Sequence, residues 1–246
     1  MSERSFFQVS APSLVDEIAF QLQADILAGL YGPGEHLPQD ELCARFSVSR
    51  TPIREALRKL HDQNLVTLVP NRGATVKAPT MVDFEEVYVT RAQLEGFSAE
   101  LAAARWTAND DLELLSAQAK LKAFVGLGLE VTGGSPEADA AMSTRIANAN
   151  EEFHAVIHSV AGNARLRRLI VDLQNSVPVG HVWHAVREGN QAEELNIRDH
   201  EAIASALRDR DAGRAREAMC RHVERAGKRL IEHLDGAGFW DRTKSV

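Results

Sequence analysis

A short segment near residue 50 combines the side chains that proteins use to contact nucleic acids. Ser49 and Thr51 carry hydroxyl groups, while Arg50, Arg54 and Arg58 follow one another at helical-turn spacing. Hydroxyls contact phosphates, and an arginine can donate two hydrogen bonds to a guanine base. The segment therefore indicates DNA binding, although such arginines can also form an ordinary solvated helix face.

Histidines in the second half of the chain form another set with possible chemistry. His154 lies four residues after Asn150, so both share one helix face, and His200 and His222 follow on later helical segments. Imidazole and amide groups can bind metal ions. A histidine on an apolar face is more commonly a hydrogen-bonded core residue, and the sequence leaves both interpretations open.

Helical patterns surround the arginine segment. Apolar residues at four-residue steps predict a first helix over 13–30, and a second is expected over Pro38–Phe46. Thr51 followed by Pro52 is typical of a helix start, with the threonine as N-cap. We therefore expect a third helix that carries the arginines near its N-terminal end.

A hairpin follows the third predicted helix. Two runs rich in β-branched residues, Leu65–Val69 and Ala74–Ala78, are joined by Pro70-Asn71-Arg72-Gly73. Three helices and a hairpin make a winged helix-turn-helix, which we assign to residues 1–79. Residues 80–246 show only helical patterns, so the predicted fold class is mainly α, with an all-α helical bundle as the second domain.

The second domain opens with Thr80 and Asp83 at capping-box spacing. The glycine-rich stretch Gly126–Pro136 predicts a long loop between helices. Helices are expected over 80–105, 109–124, 138–161, 164–186 with a break near Pro178, 190–208 and 211–235.

Charge distribution separates the two domains more clearly than total charge. The 246-residue chain has a formal net charge of −7, which by itself disfavours DNA binding. The window 45–77 nevertheless holds seven cations against Glu55 and Asp62, a net of +5. The two cysteines suggest neither a disulfide framework nor a cysteine zinc site, and no apolar segment predicts a membrane span, so we expect a cytoplasmic protein.

The run Phe46–Leu57, with Leu65-Val66 and Asn71-Arg72-Gly73, closely resembles the helix-turn-helix and wing of the GntR family of bacterial regulators. Asp40 departs from the pattern, since many relatives carry arginine there. The resemblance implies base reading by Arg50 and Arg54, phosphate contacts shaped by Ser49, Thr51 and Pro52, and a wing tip at Arg72 and Gly73 that reaches the minor groove or backbone.

The histidine segments resemble the metal-binding pattern of the FCD domain, the effector-sensing half of FadR-like GntR proteins, over about residues 80–235. The resemblance implies a divalent metal, zinc or nickel, held here by Asn150, His154, His200 and His222. The family usually has aspartate at the first position. A neutral amide at Asn150 should weaken metal affinity.

The same resemblance implies a small-molecule effector, with an organic acid favoured. Arg91 matches an arginine common in the family and could pair with an anionic ligand, while its alternative is a salt bridge with Glu95 or Glu100. Trp183 and Arg187 are expected to line the same cavity.

The sequence thus predicts a ligand-responsive regulator, a homodimer that represses a catabolic operon by binding a palindromic operator. One alternative is a regulator for which the metal itself is the signal. Another is a zinc hydrolase, but no HExxH motif is present and Glu151 and Glu152 are expected to project away from the metal.

Overall fold

The computed structural model describes residues 13–28, 30–78, 80–130, 136–176, 190–236 and 239–240. The chain divides into two compact units, Met1–Ala78 and Pro79–Val246. The first is a winged helix-turn-helix, and the regular elements in the described part of the second are all helices. The fold class predicted from the sequence is confirmed.

The first unit combines helices with a small antiparallel sheet of order β1-β3-β2. His36 lies opposite Thr75, and Val66 lies opposite Val76. The sequence pattern does not predict β1, because three residues ending in proline are too short a signal. The elements are α1 Leu14–Ala28, β1 His36–Pro38, α2 Gln39–Phe46, α3 Arg50–Asp62, β2 Val66–Val69 and β3 Gly73–Val76.

The turn between α2 and α3 differs in one detail from the prediction. Helix α2 is followed by Ser47, whose φ of 55° lies in the left-handed region. Helix α3 begins at Arg50 with Ser49 as N-cap, so the prediction of Thr51 as N-cap is wrong by two residues. Pro52 still lies in the first turn, where its missing N–H costs no helical hydrogen bond.

The apolar face of α3 anchors this helix in the first core. Ile53, Leu57 and Leu60 are at most 1% exposed and pack within one cluster. Arg54 and Arg58 lie on the opposite, exposed face. Burial of one face therefore presents the cationic face to solvent.

The second unit consists of long helices in its described part. Thr80 and Asp83 form the predicted capping box at the start of the first of them. The helices are α4 Met81–Ala103, α5 Ala108–Glu130, α6 Pro136–Ala161, α7 Ala164–Gln174, α8 Asn190–Arg208 and α9 Ala212–Gly236.

The predicted loop over Gly126–Pro136 is wrong in its first part, because α5 continues to Glu130. A glycine inside a helix costs only about 1 kcal/mol relative to alanine. Leu121 and Val125 are buried in a cluster with Ile146 of α6, and this packing outweighs the cost.

Helices α4 and α9 pack closely along the core of the second unit. At Gly227 a Cβ atom would lie 2.5–2.7 Å from three atoms of Tyr88, so only glycine fits. The same core includes Leu114 of α5, Phe153 of α6 and Ile203 of α8, so five helices share it. Within the described part of the chain, no helix is long and apolar enough to cross a membrane.

Candidate DNA-reading surface and buried histidine centre

Most of the residues predicted to contact DNA are exposed on the first unit. Pro52 is half-buried and Gly73 is buried, and the remaining five are exposed: Ser49, Arg50, Thr51, Arg54 and Arg72. Four of these five surround the N-terminal end of α3, where free backbone N–H groups and the helix dipole favour phosphate. The structure thus brings the predicted readers onto one end of a helix, and their contacts with DNA stay predictions.

Arg50 is held by a neighbouring carboxylate. Its Nε donates to Oδ1 of Asp40 at 3.0 Å, and its Nη2 donates to Oδ2 at 3.2 Å. The two side chains are 69% and 74% exposed, so water screens the pair and it adds little to stability. Asp40 is the residue that departs from the GntR pattern, and it replaces an expected cation with an anion that orients Arg50.

Other cations of this unit remain available for phosphate. Arg45 is paired with the buried Asp25 at 2.6 Å. By contrast, Arg54, Arg58 and Arg72 form no ion pair with any residue that the structure describes. Unpaired exposed arginines can displace counterions from DNA at little cost.

Gly73 has a structural reason for being glycine. Its φ is 130°, and a Cβ atom there would overlap the backbone carbonyl of Leu37 in the neighbouring strand β1. Family resemblance predicts that Gly73 approaches DNA. The structure shows that Gly73 lies close to the backbone of Leu37 within the sheet. Arg54 and Gly73 line one cavity of about 100 Å³, so the recognition helix and the wing adjoin.

Three buried histidines from three helices meet inside the second unit. His154 of α6, His200 of α8 and His222 of α9 each offer a ring nitrogen, and these atoms lie within 4.8 Å of one another. The Nε2 atoms of His154 and His222 are 3.2 Å apart. The ring of His200 stacks on Phe153, with centroids 3.8 Å apart and planes 6° apart, which fixes its orientation.

The histidine cluster fits a divalent metal. Both ring nitrogens of His200 are buried, and neither has a hydrogen-bond partner among the described residues. Leaving a buried polar group without a partner costs about 1–3 kcal/mol. Three imidazoles at short range are ligands that zinc and nickel favour, and coordination would satisfy one of the two unpaired nitrogens of His200.

Burial disfavours the protonated form of two of these imidazoles, those of His200 and His222. It lowers the pKa of His200 well below the usual value. Burial also lowers the pKa of His222, against the opposing effect of Asp199. Because a metal ligand must be unprotonated, neutral imidazoles at pH 7 favour metal binding.

The outer side of His154 faces a buried carboxylate. Its Nδ1 lies 2.9 Å from Oε2 of Glu95, whose side chain is fully buried. Burial alone would raise the pKa of Glu95, but Arg91 and His154 hold it below the usual value. His158 lies beside the same carboxylate, with Nε2 3.7 Å from Oε2 and Nδ1 2.9 Å from Oγ of Ser98.

Arg91 forms the salt bridge that the sequence allows as an alternative to effector binding. Its Nη2 lies 2.8 Å from Oε1 of Glu95, and its Nε donates to the same oxygen at 3.0 Å. The guanidinium also lies over the ring of Tyr88, 5.0 Å from the centroid. Its contact with an effector stays a prediction, while Trp183 and Arg187 lie outside the described residues.

Asn150 is buried one helical turn before His154 on α6. Its Oδ1 accepts a hydrogen bond from Nδ2 of Asn196 at 3.0 Å. A carbonyl-type oxygen has two lone pairs, so this oxygen retains one for another partner. Coordination of a metal by Asn150 stays a prediction.

The sequence does not predict that two carboxylates lie beside the histidines. Its spacing indicates only Arg91 as a partner for Glu95, and no pattern assigns a role to Asp199, whose Oδ2 lies 3.7 Å from Nδ1 of His222. One signal was present, since Glu95 lies between Ala92 and Ala99 on an apolar helix face. An acid at such a position needs buried partners.

Together these features define a class of protein: a winged helix-turn-helix with exposed arginines, joined in sequence to a helical domain, is the architecture of a DNA-binding transcriptional regulator. The FCD domain model matches residues 86–225, and the model of the gntR family of bacterial regulatory proteins matches residues 14–76. The chain therefore belongs to the GntR family and carries an FCD effector domain.

Full-length relatives agree with this assignment. The chain is 28% identical over 240 residues to the Uxu operon regulator of Haemophilus influenzae, covering 89% of this chain and 85% of that protein. It is 27% identical over 205 residues to the transcriptional repressor GlaR of Escherichia coli, covering 82% and 89%. Among solved structures, Escherichia coli McbR/YncC shares the fold with a TM-score of 0.68 at 23% identity, covering 89% and 98%.

Proposed function

We propose that this regulator is a repressor whose operator binding is controlled by a small organic acid bound beside a metal in the FCD domain. The observation that carries the proposal is the meeting of three buried imidazoles from three helices. The relative GlaR is a transcriptional repressor, which supports this direction of regulation.

The residues that would hold the metal are His154, His200 and His222, with Asn150 as the fourth. Zinc or nickel suits this set of nitrogens and one amide oxygen. When bound, such an ion supplies a Lewis-acidic centre that attracts the carboxylate or hydroxyl oxygens of a metabolite. The protein side chains fix the geometry, since Phe153 orients His200 and Glu95 contacts His154.

An organic acid is the effector class that this chemistry favours. The site lies on α6, α8 and α9, so an effector bound there contacts helices whose packing forms the core of the unit. If the effector has different affinities for two arrangements of these helices, its binding shifts the protein toward one arrangement and thereby changes operator binding. Trp183 and Arg187 remain the candidates for further effector contacts.

We further propose that the active form is a homodimer on a palindromic operator, because two recognition helices on two half-sites multiply specificity. Selection of binding sites from a random DNA library by the purified full chain tests this. Two inverted half-sites at helical-turn spacing are expected. A single half-site without an inverted copy would contradict the homodimer.

The base readers are tested on the selected operator by fluorescence anisotropy. Arg50→Ala and Arg54→Ala should each weaken binding by about 1–3 kcal/mol, because each loses a bidentate guanine contact. Arg221→Ala removes an exposed cation paired with Glu217 on α9 and serves as the control. Unchanged affinity of both recognition-helix variants would refute their assignment.

A metal-sensing regulator is the second candidate, since the three-histidine centre could itself be the sensor. Titration of operator affinity against zinc, with and without a panel of carboxylates, separates the two. A hydrolase is not proposed, because Glu151 and Glu152 are exposed and pair with Gln174 and Lys120. Neither is placed to act as a general base at the histidines.

A further inference from the structure

The histidine centre contains no anionic first ligand. His154, His200 and His222 each offer a ring nitrogen, and Asn150 offers an amide oxygen where the family usually has a carboxylate. A divalent cation buried among neutral ligands is less stable than one beside a negative charge. The missing charge must come from elsewhere if the site is to bind metal tightly.

Two carboxylates lie one layer behind the ligands. Oε2 of Glu95 contacts Nδ1 of His154 at 2.9 Å, and Oδ2 of Asp199 lies 3.7 Å from Nδ1 of His222. In both histidines the opposite nitrogen, Nε2, faces the other histidine across 3.2 Å. Each carboxylate therefore lies on the outer nitrogen and leaves the inner one for coordination.

Each carboxylate is itself held in position. Oε1 of Glu95 accepts from Arg91, which leaves Oε2 directed at His154. Oδ1 of Asp199 is paired with Arg225 at 2.9 Å. The Glu95 side chain is fully buried and that of Asp199 is 15% exposed, so the first acts through a lower dielectric.

We propose that Glu95, and more weakly Asp199, are positioning residues that supply to the metal centre the negative charge that Asn150 does not. A carboxylate on the outer nitrogen fixes the tautomer of a ligating histidine and increases its basicity. This inference rests on the proposed metal centre and assigns its affinity to two residues outside the ligand set.

Zinc affinity of the full chain, measured by competition with a chromophoric chelator at constant pH, tests the proposal. Glu95→Gln should weaken zinc binding about 10- to 100-fold, and Asp199→Asn by about 10-fold, because loss of such outer partners has effects of this size. Glu100→Gln is the matched control, since Glu100 lies on the same helix but pairs with Arg216 instead.

Asn150→Asp provides the complementary test. An anionic first ligand should tighten zinc binding and restore most of the affinity lost in Glu95→Gln. Cobalt(II) absorption distinguishes positioning from direct ligation, because the d–d spectrum of Glu95→Gln should keep its shape at saturation. A changed spectrum would make Glu95 a ligand and overturn the proposal.

Other outcomes are equally decisive. The inference is overturned if Glu95→Gln binds zinc within threefold of the wild-type affinity. If His200→Ala abolishes zinc binding in the same experiment, the metal centre itself still stands. No zinc binding by the wild type overturns both. If Glu95→Gln does not fold, the zinc affinity of Asp199→Asn tests the proposal instead. That affinity should fall, and adding Asn150→Asp should restore it.

Discussion

Replacing Arg91 by methionine tests whether Arg91 stabilises the fold through its salt bridge with Glu95 or binds an effector. The salt bridge with Glu95 is buried, with side chains 11% and 0% exposed, and its guanidinium–carboxylate contact is 2.8 Å. Removing one partner of a buried pair costs about 3–5 kcal/mol, because the other charge is left uncompensated. Since His154 still contacts the carboxylate at 2.9 Å, we expect the lower end, about 3 kcal/mol.

Urea unfolding of the full chain followed by tryptophan fluorescence measures this loss. All three tryptophans lie beyond residue 80, so their emission reports on the second unit. Arg216→Met is the matched control, because its pair with Glu100 is 42% and 39% exposed and should change stability by at most about 1 kcal/mol. Adding Glu95→Gln to Arg91→Met should recover part of the stability, since the uncompensated charge is removed.

A loss below about 1 kcal/mol in Arg91→Met would refute the structural role of the salt bridge. If the same variant also lost its response to carboxylates, Arg91 would be an effector ligand after all. Equal losses in Arg91→Met and Arg216→Met would show that burial does not strengthen the first pair.

Three further predictions concern packing, DNA reading and metal. Gly227→Ala should destabilise the second unit by about 1–3 kcal/mol, because the added Cβ would lie 2.5–2.7 Å from atoms of Tyr88. Gly126→Ala should stabilise the unit by about 0.5–1 kcal/mol, because the added Cβ would meet nothing within 4 Å. Asp40→Asn should release Arg50, tighten nonspecific DNA binding and reduce discrimination in anisotropy competition. Zinc at 100 times its dissociation constant should add about 2.7 kcal/mol of stability to the chelator-treated protein, measured by urea unfolding.

Each of these has a contradicting result. Stabilisation by Gly227→Ala would refute the close packing of α4 and α9, and destabilisation by Gly126→Ala would refute a helix through that residue. Unchanged discrimination in Asp40→Asn would show that the pair with Arg50 does not persist on DNA. Equal unfolding curves with and without zinc would contradict the metal centre.

The DNA-reading unit could be predicted well because its signals are local. The periodic apolar face of α3 and the exposed arginines opposite it follow from spacing alone. Strand β1 could not be predicted, because His36–Pro38 becomes a strand only by pairing with the distant β3. The bidentate pair of Arg50 with Asp40 depends likewise on how two helices cross.

In the second unit, the candidate metal ligands could be predicted from the sequence, but the residues that contact them could not. Resemblance selected His154, His200 and His222, and the structure brings them together. The position of Glu95 behind His154 depends on the packing of α4 against α6, which periodicity does not encode. Helix α5 continued past Gly126 because tertiary burial outweighed glycine's low propensity.

The most direct test of the central claim is operator affinity measured by anisotropy over a salt series, with zinc and with a panel of small carboxylates. We expect saturable binding that outcompetes nonspecific DNA and weakens steeply with salt. One class of carboxylate should reduce this binding, and only when zinc is present and His200 is intact. Operator binding that ignores carboxylates under every condition, in both the wild type and His200→Ala, would contradict this expectation.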